Sequence, residues 1–280
     1  MTQNTQACFT LPAIGFGTYK LRGAAGAAAV TEAIAAGYRL IDTAFSYENE
    51  GCVARGVARA VERGVAERQE IIVTSKVPGR HYGRDEAIAA VEESAARMSP
   101  IGAIDLYLIH WPNPAQNRYV ETWDGLVRAR ERGLVRAIGV SNFLPEHLQR
   151  LEREVGVLPV VNQIESHPYF PNSEQVAYNA AHGILTEAWS PLGRGREVLA
   201  DPVIEQIAHA HSVTPAQAIL AWHVARGVHP IPKSATAERR TENLAAASVT
   251  LDAAEVEAIT ALGRPNGRLF DGDPRTHEEM

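Results

Sequence analysis

Four residues spaced along this chain are of types that together do proton chemistry. Asp42, Lys76 and His110 each end a short apolar run: Leu40-Ile41 into Asp42, Ile71-Ile72-Val73-Thr74-Ser75 into Lys76, and Leu106-Tyr107-Leu108-Ile109 into His110. Tyr47 follows shortly after Asp42. A tyrosine is a weak acid with an unperturbed pKa of ~10, but a nearby ammonium favours the phenolate and lowers that value. Lys76 is suited to supply the charge, Asp42 to hold Lys76, and His110 to donate to a substrate oxygen or orient it. Such a set protonates a carbonyl oxygen as negative charge develops there, which is what hydride reduction of an aldehyde or ketone requires. It is an acid without a nucleophile.

For these residues to meet, the elements that carry them must converge. Four further runs end the same way: Ala137-Ile138-Gly139-Val140 into Ser141-Asn142, Val160-Val161 into Asn162-Gln163, Ala188-Trp189 into Ser190, and Ile231-Pro232 into Lys233. Buried parallel strands read as continuous apolar runs, and in a closed barrel of them the functional groups lie at the carboxyl ends. Between the runs, segments of helical period at 26–36, 50–63, 84–98 and 119–132 stop at glycine or carry acidic first turns. Segments 145–154, 173–182, 202–211, 215–225 and 239–247 read alike. Alternation of this kind predicts parallel βαβ units. With Ala13-Ile14-Gly15-Phe16 as the first strand, the expectation is a (β/α)8 TIM barrel, an α/β fold of one domain over residues 1–280. A short N-terminal β-hairpin from Ala7–Leu11 over the barrel floor and extra helices near the C-terminus complete it. An open doubly wound sheet is disfavoured because Gly15-Phe16-Gly17-Thr18 lacks the third glycine of a dinucleotide fingerprint. The Asp42-to-Lys76 and Lys76-to-His110 intervals are equal, yet they share no residue pattern that would make a solenoid repeat.

Composition narrows the classes. The chain has 280 residues with 27 basic and 33 acidic side chains, a formal charge of −6, and its basic residues form no stripe, which argues against nucleic acid. Two cysteines, Cys8 and Cys52, give no disulfide framework and are expected as free thiols. No run approaches the ~18 apolar residues of a membrane span, and Met1–Thr10 lacks the marks of a leader, so a cytoplasmic protein is expected. The histidines, His209 and His211 included, have no metal-ligand spacing, and no metal is expected. Glu165 and Glu187 are left out of the site as residues paired structurally in the barrel interior.

Four segments in order resemble the aldo-keto reductase family, nearly end to end. Gly37-Tyr38-Arg39-Leu40-Ile41-Asp42-Thr43-Ala44, with Tyr47, Asn49 and Glu50, is similar to the family's first signature, and Asp105-Leu106-Tyr107-Leu108-Ile109-His110-Trp111-Pro112 to its second. Gly139-Val140-Ser141-Asn142-Phe143 is a third. Ile231-Pro232-Lys233-Ser234 with Arg239, Glu242 and Asn243 is the last. The resemblance implies NADPH bound across the carboxyl face, Tyr47 as general acid, Lys76 and Asp42 tuning it, and His110 positioning the carbonyl. It implies Ser141, Asn142 and Gln163 at the nicotinamide carboxamide, Trp189 stacked on the ring, and Ser190, Leu192 and Gly193 over the pyrophosphate. Lys233, Ser234 and Arg239 fall to the 2′-phosphate and Asn243 to the adenine. A lysine, an arginine fork and a helix start suit a phosphate in charge and geometry, which favours NADPH over NADH. Gly17 and Thr18 are counted with the cofactor residues, and Tyr19 and Trp111 as walls of a small-molecule carbonyl pocket.

Departures from the family pattern carry information too. Trp189 stands where animal members more often have tyrosine, which points to bacterial members of the diketogluconate reductase kind. Val77-Pro78-Gly79-Arg80 replaces an aromatic residue and asparagine found after the lysine in many members, so the pocket wall there is expected to differ. A short loop after Ser190-Pro191-Leu192-Gly193 and a short tail after Arg268-Leu269-Phe270 predict an open pocket with little substrate selection. The resemblance implies a monomer. Two other readings compete: a Schiff-base lyase using Lys76 or Lys233, and a cofactor-binding regulatory subunit without turnover.

Overall fold

Six of the seven apolar runs lie in strands, and the seventh, Ile231-Pro232, directly follows one, in a computed structural model of the chain. The structure describes residues 9–194, 196–270 and 272–279. The strands are β1 (Phe16–Gly17), β2 (Leu40–Asp42), β3 (Ile72–Val77), β4 (Ile104–Ile109), β5 (Val135–Ser141), β6 (Val161–Glu165), β7 (Leu185–Trp189) and β8 (Val228–Pro230). They pair in chain order, every pair parallel. Gly15 N–H donates to the Pro230 carbonyl at 2.9 Å and Gly17 N–H to the Pro232 carbonyl at 3.1 Å, which joins the last strand to the first. The barrel closes.

Helices α1 (Gly23–Ala35), α2 (Glu50–Glu62), α3 (Arg84–Arg97), α4 (Tyr119–Glu131), α5 (Pro145–Val155) and α6 (Ser173–Ala181) cross between strands. Next come α7 (Arg196–Leu199), α8 (Pro202–Ala210), α9 (Pro215–Ala225), α10 (Ala237–Ala245) and α11 (Ala253–Thr260). Gly64 and Gly133, with φ of 67° and 75°, take the left-handed turn that stops α2 and α4, a conformation free of strain only for glycine.

Side-chain alternation sorts each strand into two layers. Ile41, Val73, Tyr107, Ile109 and Ile138 face outward into the main core against the helices. On the inward face of β4, Leu106 and Leu108 join Ala137, Val160 and Val161 in a separate interior cluster. Phe9 and Leu11 pack on that cluster. The expected hairpin is thus corrected in part: Ala7 and Cys8 lie outside the described residues, while Phe9–Leu11 carry no strand. Cys52 is a buried free thiol. Among the described residues no helix is long and apolar enough to cross a membrane, and no cluster of potential metal ligands occurs.

Candidate active site

Inward-facing residues change character near the carboxyl ends of the strands. Asp42 faces inward at the end of β2 and Lys76 near the end of β3, both buried. The Lys76 ammonium donates to both carboxylate oxygens of Asp42, at 2.8 and 2.7 Å, and to the Thr43 carbonyl at 2.8 Å. All three N–H donors are therefore used. Burial alone would discharge such a lysine, but Asp42 overrides it and holds the Lys76 pKa above the ordinary lysine value. A lysine kept charged in this way is a poor nucleophile, which argues against a Schiff base at Lys76.

Tyr47 sits on a single 3-10 turn, Phe45–Tyr47, and its ring centroid is 5.3 Å from the Lys76 ammonium. The His110 ring meets it edge-on at 5.9 Å, and Tyr19 packs on it at 5.0 Å. The expected lowering of the phenol's pKa is overturned. Burial raises it, and against the opposing effect of Lys76 the charges of Asp42 and Glu279 push the same way, so the net shift is upward. The phenol keeps its proton.

These residues border one cleft of about 1040 Å³. Asp42, Tyr47, His110, Tyr19 and Trp111 line one part of it. Ser141, Asn142, Gln163 and Trp189 line the floor, and Ser190, Leu192, Lys233, Ser234, Arg239, Asn243 and Gly17 continue the wall. Lys76 lies fully buried behind Asp42. Thr18 and Gly193 do not border the cleft: Thr18 is buried with its hydroxyl donated to the Asp42 carbonyl at 2.8 Å, and Gly193 turns against Val198 and His167. Both lie behind the cleft's lining, where each serves the backbone that shapes the rim.

The floor is a hydrogen-bonded network. Asn142, at a left-handed φ of 64°, donates to the His110 carbonyl and to Ser141 Oγ, both at 3.0 Å, and accepts the Trp189 indole N–H at 2.8 Å. Ser141 Oγ donates to the Gln163 carbonyl at 2.9 Å. Gln163 Nε2 donates to Asp42 Oδ2 at 2.9 Å and Glu187 Oε2 at 2.6 Å. Both amide hydrogens are committed, which leaves Gln163 Oε1 as its free acceptor. Glu187, set aside on sequence as a structurally paired residue, has this amide as its hydrogen-bond partner and makes no direct ion pair among the described residues, although the Lys76 charge acts on it. Burial and the Asp42 carboxylate push it up to about 7. Glu165 accepts from Leu269 N–H at 2.6 Å and meets His167 Nε2 at 3.2 Å.

At the far end, Lys233 and Arg239 are exposed, and no carboxylate among the described residues pairs with either. Arg239 stands in the first turn of α10, beside Ser234, whose hydroxyl accepts from Thr236 N–H at 3.3 Å. Two unpaired cations at a helix start fit a phosphate. Gly17 is required by the closure of the barrel, since a Cβ there would lie 2.9 Å from the Ile231 carbonyl.

Residues not picked from the sequence complete the rim. Arg194, at a φ of 50°, reaches from the loop after β7 over the rings of Tyr19 and Phe270, at 5.5 and 4.5 Å. Lys20, Leu199, Thr214 and Pro215 also line the cleft. The tail does not leave the substrate side open as its length suggested. The ring of His277 packs 4.1 Å from that of Trp111, and Glu279 Oε1 lies 2.7 Å from His110 Nδ1.

Residues 13–264 match the profile described as the Aldo/keto reductase family. The 2,5-diketo-D-gluconic acid reductase B of Corynebacterium sp. (strain SHS752001) is 51% identical over 266 residues, covering 95% of this chain and 94% of that one. Methylglyoxal reductase DkgA of Salmonella typhimurium is 40% identical over 94% of this chain and 93% of its own. Among solved structures, a mutant of Gox0644 in complex with NADPH superposes with a TM-score of 0.88 at 43% identity, with 96% of each chain covered.

Proposed function

This chain belongs to the aldo/keto reductase family, an NADPH-dependent oxidoreductase of (β/α)8 fold, and we propose that it reduces small aldehydes, dicarbonyls and keto sugars or keto acids to alcohols with Tyr47 as general acid. The observation that carries this reading is the buried Asp42–Lys76 pair under the ring of Tyr47. NADPH, when bound, supplies the hydride to the carbonyl carbon. The proton comes from this chain. Tyr47 Oη delivers it to the carbonyl oxygen as negative charge develops there, and the raised pKa of the phenol keeps it in the proton-bearing form across the neutral range. As the phenol becomes phenolate, the ammonium of Lys76 stabilises the new charge, and Asp42 fixes that ammonium by accepting two of its three hydrogen bonds. Aromatic walls at Tyr19 and Trp111 favour small, partly apolar carbonyl compounds.

The same proposal assigns Ser141, Asn142 and Gln163 to the nicotinamide carboxamide and Trp189 to its ring. The committed donors of Gln163 support a role as acceptor toward the carboxamide NH2. Ser190 and Leu192 go to the pyrophosphate, Lys233, Ser234 and Arg239 to the 2′-phosphate, and Asn243 to the adenine. Diketogluconate and methylglyoxal reductases among the relatives support dicarbonyl substrates. The proposal includes a monomer acting in the cytoplasm, and light scattering on the purified protein checks the first point.

Tyr47→Phe tests the acid. NADPH should bind the variant as it binds the wild type, by fluorescence titration, while turnover of a small aldehyde falls roughly 100-fold or more, the contribution of a positioned acid. Near-normal turnover would remove Tyr47 from the role.

A further inference from the structure

Residues 272–279 return to the mouth of the barrel, where the segment that departs from the family pattern receives them. Asn113, buried and at a left-handed φ of 45°, clamps the backbone of Glu279. Its Nδ2 donates to the Glu279 carbonyl at 2.6 Å and its Oδ1 accepts the Glu279 N–H at 2.9 Å. Ala115 N–H donates to Glu278 Oε1 at 2.6 Å. Gly79, within Val77-Pro78-Gly79-Arg80, leaves the space: a Cβ there would collide with the Glu279 carbonyl.

The clamp sets the Glu279 carboxylate against His110. Oε1 lies 2.7 Å from His110 Nδ1 and accepts from Ser46 Oγ at 3.3 Å. The two atoms are within hydrogen-bond distance, although their alignment departs from that of a linear hydrogen bond. His110 lines the cleft, whereas Glu279 does not, so the carboxylate meets the imidazole from outside the cleft. Burial works against an ionised Glu279, but the imidazole, Ser46 and the Gly79 N–H outweigh it and hold the carboxyl below its ordinary range. A carboxylate only accepts, and a nitrogen lone pair facing it at this distance is repelled. The proton therefore belongs on Nδ1, and Nε2 is left for the cleft.

We propose that Glu279 is a positioning residue for His110: it fixes the ring and its Nδ1–H form, so that Nε2 is the nitrogen offered to the carbonyl oxygen. The proposal rests on the carbonyl-reductase reading of the site. At metal centres, partners that orient a ligating imidazole typically matter by 10–100-fold when removed, and an effect of about that order is expected for an imidazole oriented toward a carbonyl. No other carboxylate among the described residues pairs with His110.

The test is 15N NMR of histidine-labelled protein beside steady-state kinetics, on the full chain and on Glu279→Gln, Glu279→Ala and Gly79→Ala. Wild-type His110 should show Nδ1 protonated. Glu279→Ala and Gly79→Ala, which remove the carboxylate and evict the tail respectively, should shift that signal toward the Nε2–H form. Glu279→Gln keeps the backbone clamp and loses the charge; its kcat on a small aldehyde should fall about tenfold with KM and NADPH affinity little changed. A tail with only a structural role would leave that variant like the wild type. Unchanged His110 resonances in all three variants, or a Glu279→Gln kcat within about twofold of wild type, overturn the proposal. If the resonances shift as expected while the wild type reduces no carbonyl compound, the Glu279–His110 pair stands and the reductase reading falls.

Discussion

Asp42 and Lys76 show why a charged pair can be kept inside a barrel. Each is buried, and the three bonds from the Lys76 ammonium satisfy it completely. Removing one member would leave a bare buried charge, which typically costs 3–5 kcal/mol, so a substitution such as Lys76→Met confounds catalysis with stability. Arg239 has no such entanglement, being exposed and free of any carboxylate among the described residues. Its role is thus cleanly tested by affinity. Loss of a charge-assisted contact worth about 1.5–3 kcal/mol weakens binding roughly 10- to 100-fold. Arg239→Ala should raise the NADPH dissociation constant by about that factor and leave the NADH constant unchanged in parallel fluorescence titrations, because NADH lacks the phosphate. Equal effects on both cofactors would dissociate Arg239 from the 2′-phosphate.

Helices and strands explain how far the sequence could be read. Strand ends were legible because a buried parallel strand has no reason to place Asp42 or Lys76 inward except where the barrel opens. Most helices were legible from their glycine stops and proline starts, as at Gly64 and Pro215. A signal for α11 was also present, since Asp252 and Glu255 form a reciprocal capping box. What escaped depends on closure between distant segments. Nothing local to Glu279 marks it for His110, and nothing local to Arg194 marks it for Tyr19. Thr18 depends on closure in the same way, because its hydroxyl is taken by the Asp42 carbonyl across β1 and β2. Helix contacts are equally non-local. Gly56 lies where α2 crosses α1, and a Cβ would come within 2.6 Å of the Ala27 carbonyl and 2.7 Å of Val30 Cβ. Alanine there gains about 1 kcal/mol of intrinsic helix preference, yet overpacking typically costs 1–3 kcal/mol. Gly56→Ala should therefore lower the urea midpoint without altering the m-value. A higher midpoint would mean that the two helices part at little cost.

Across the molecule, the barrel interior changes from apolar at the Leu106 and Leu108 layer to ionisable at the layer of Asp42, Lys76, Gln163 and Glu187. That upper layer couples global stability to pH through Glu187. Its carboxyl is pushed from an ordinary 4.5 to about 7, by burial first and by the Asp42 charge second. A carboxyl raised in the folded state holds its proton more tightly there than in the unfolded chain. Between the two values the folded state binds more protons, so stability falls as pH rises. The contribution of Glu187 is complete below about 4.5 and is lost as pH climbs through about 7. A glutamine at this position still accepts from Gln163 Nε2 but carries no charge to bury. Glu187→Gln should melt above the wild type at pH 8, by a few degrees for each ~1 kcal/mol recovered, and show no such advantage at pH 5. The quantity to compare is the difference in Tm between the two proteins at each pH, because every other titrating group is common to both. A difference that does not change between pH 5 and pH 8 would mean that Glu187 is ionised throughout, with the barrel interior solvating its charge.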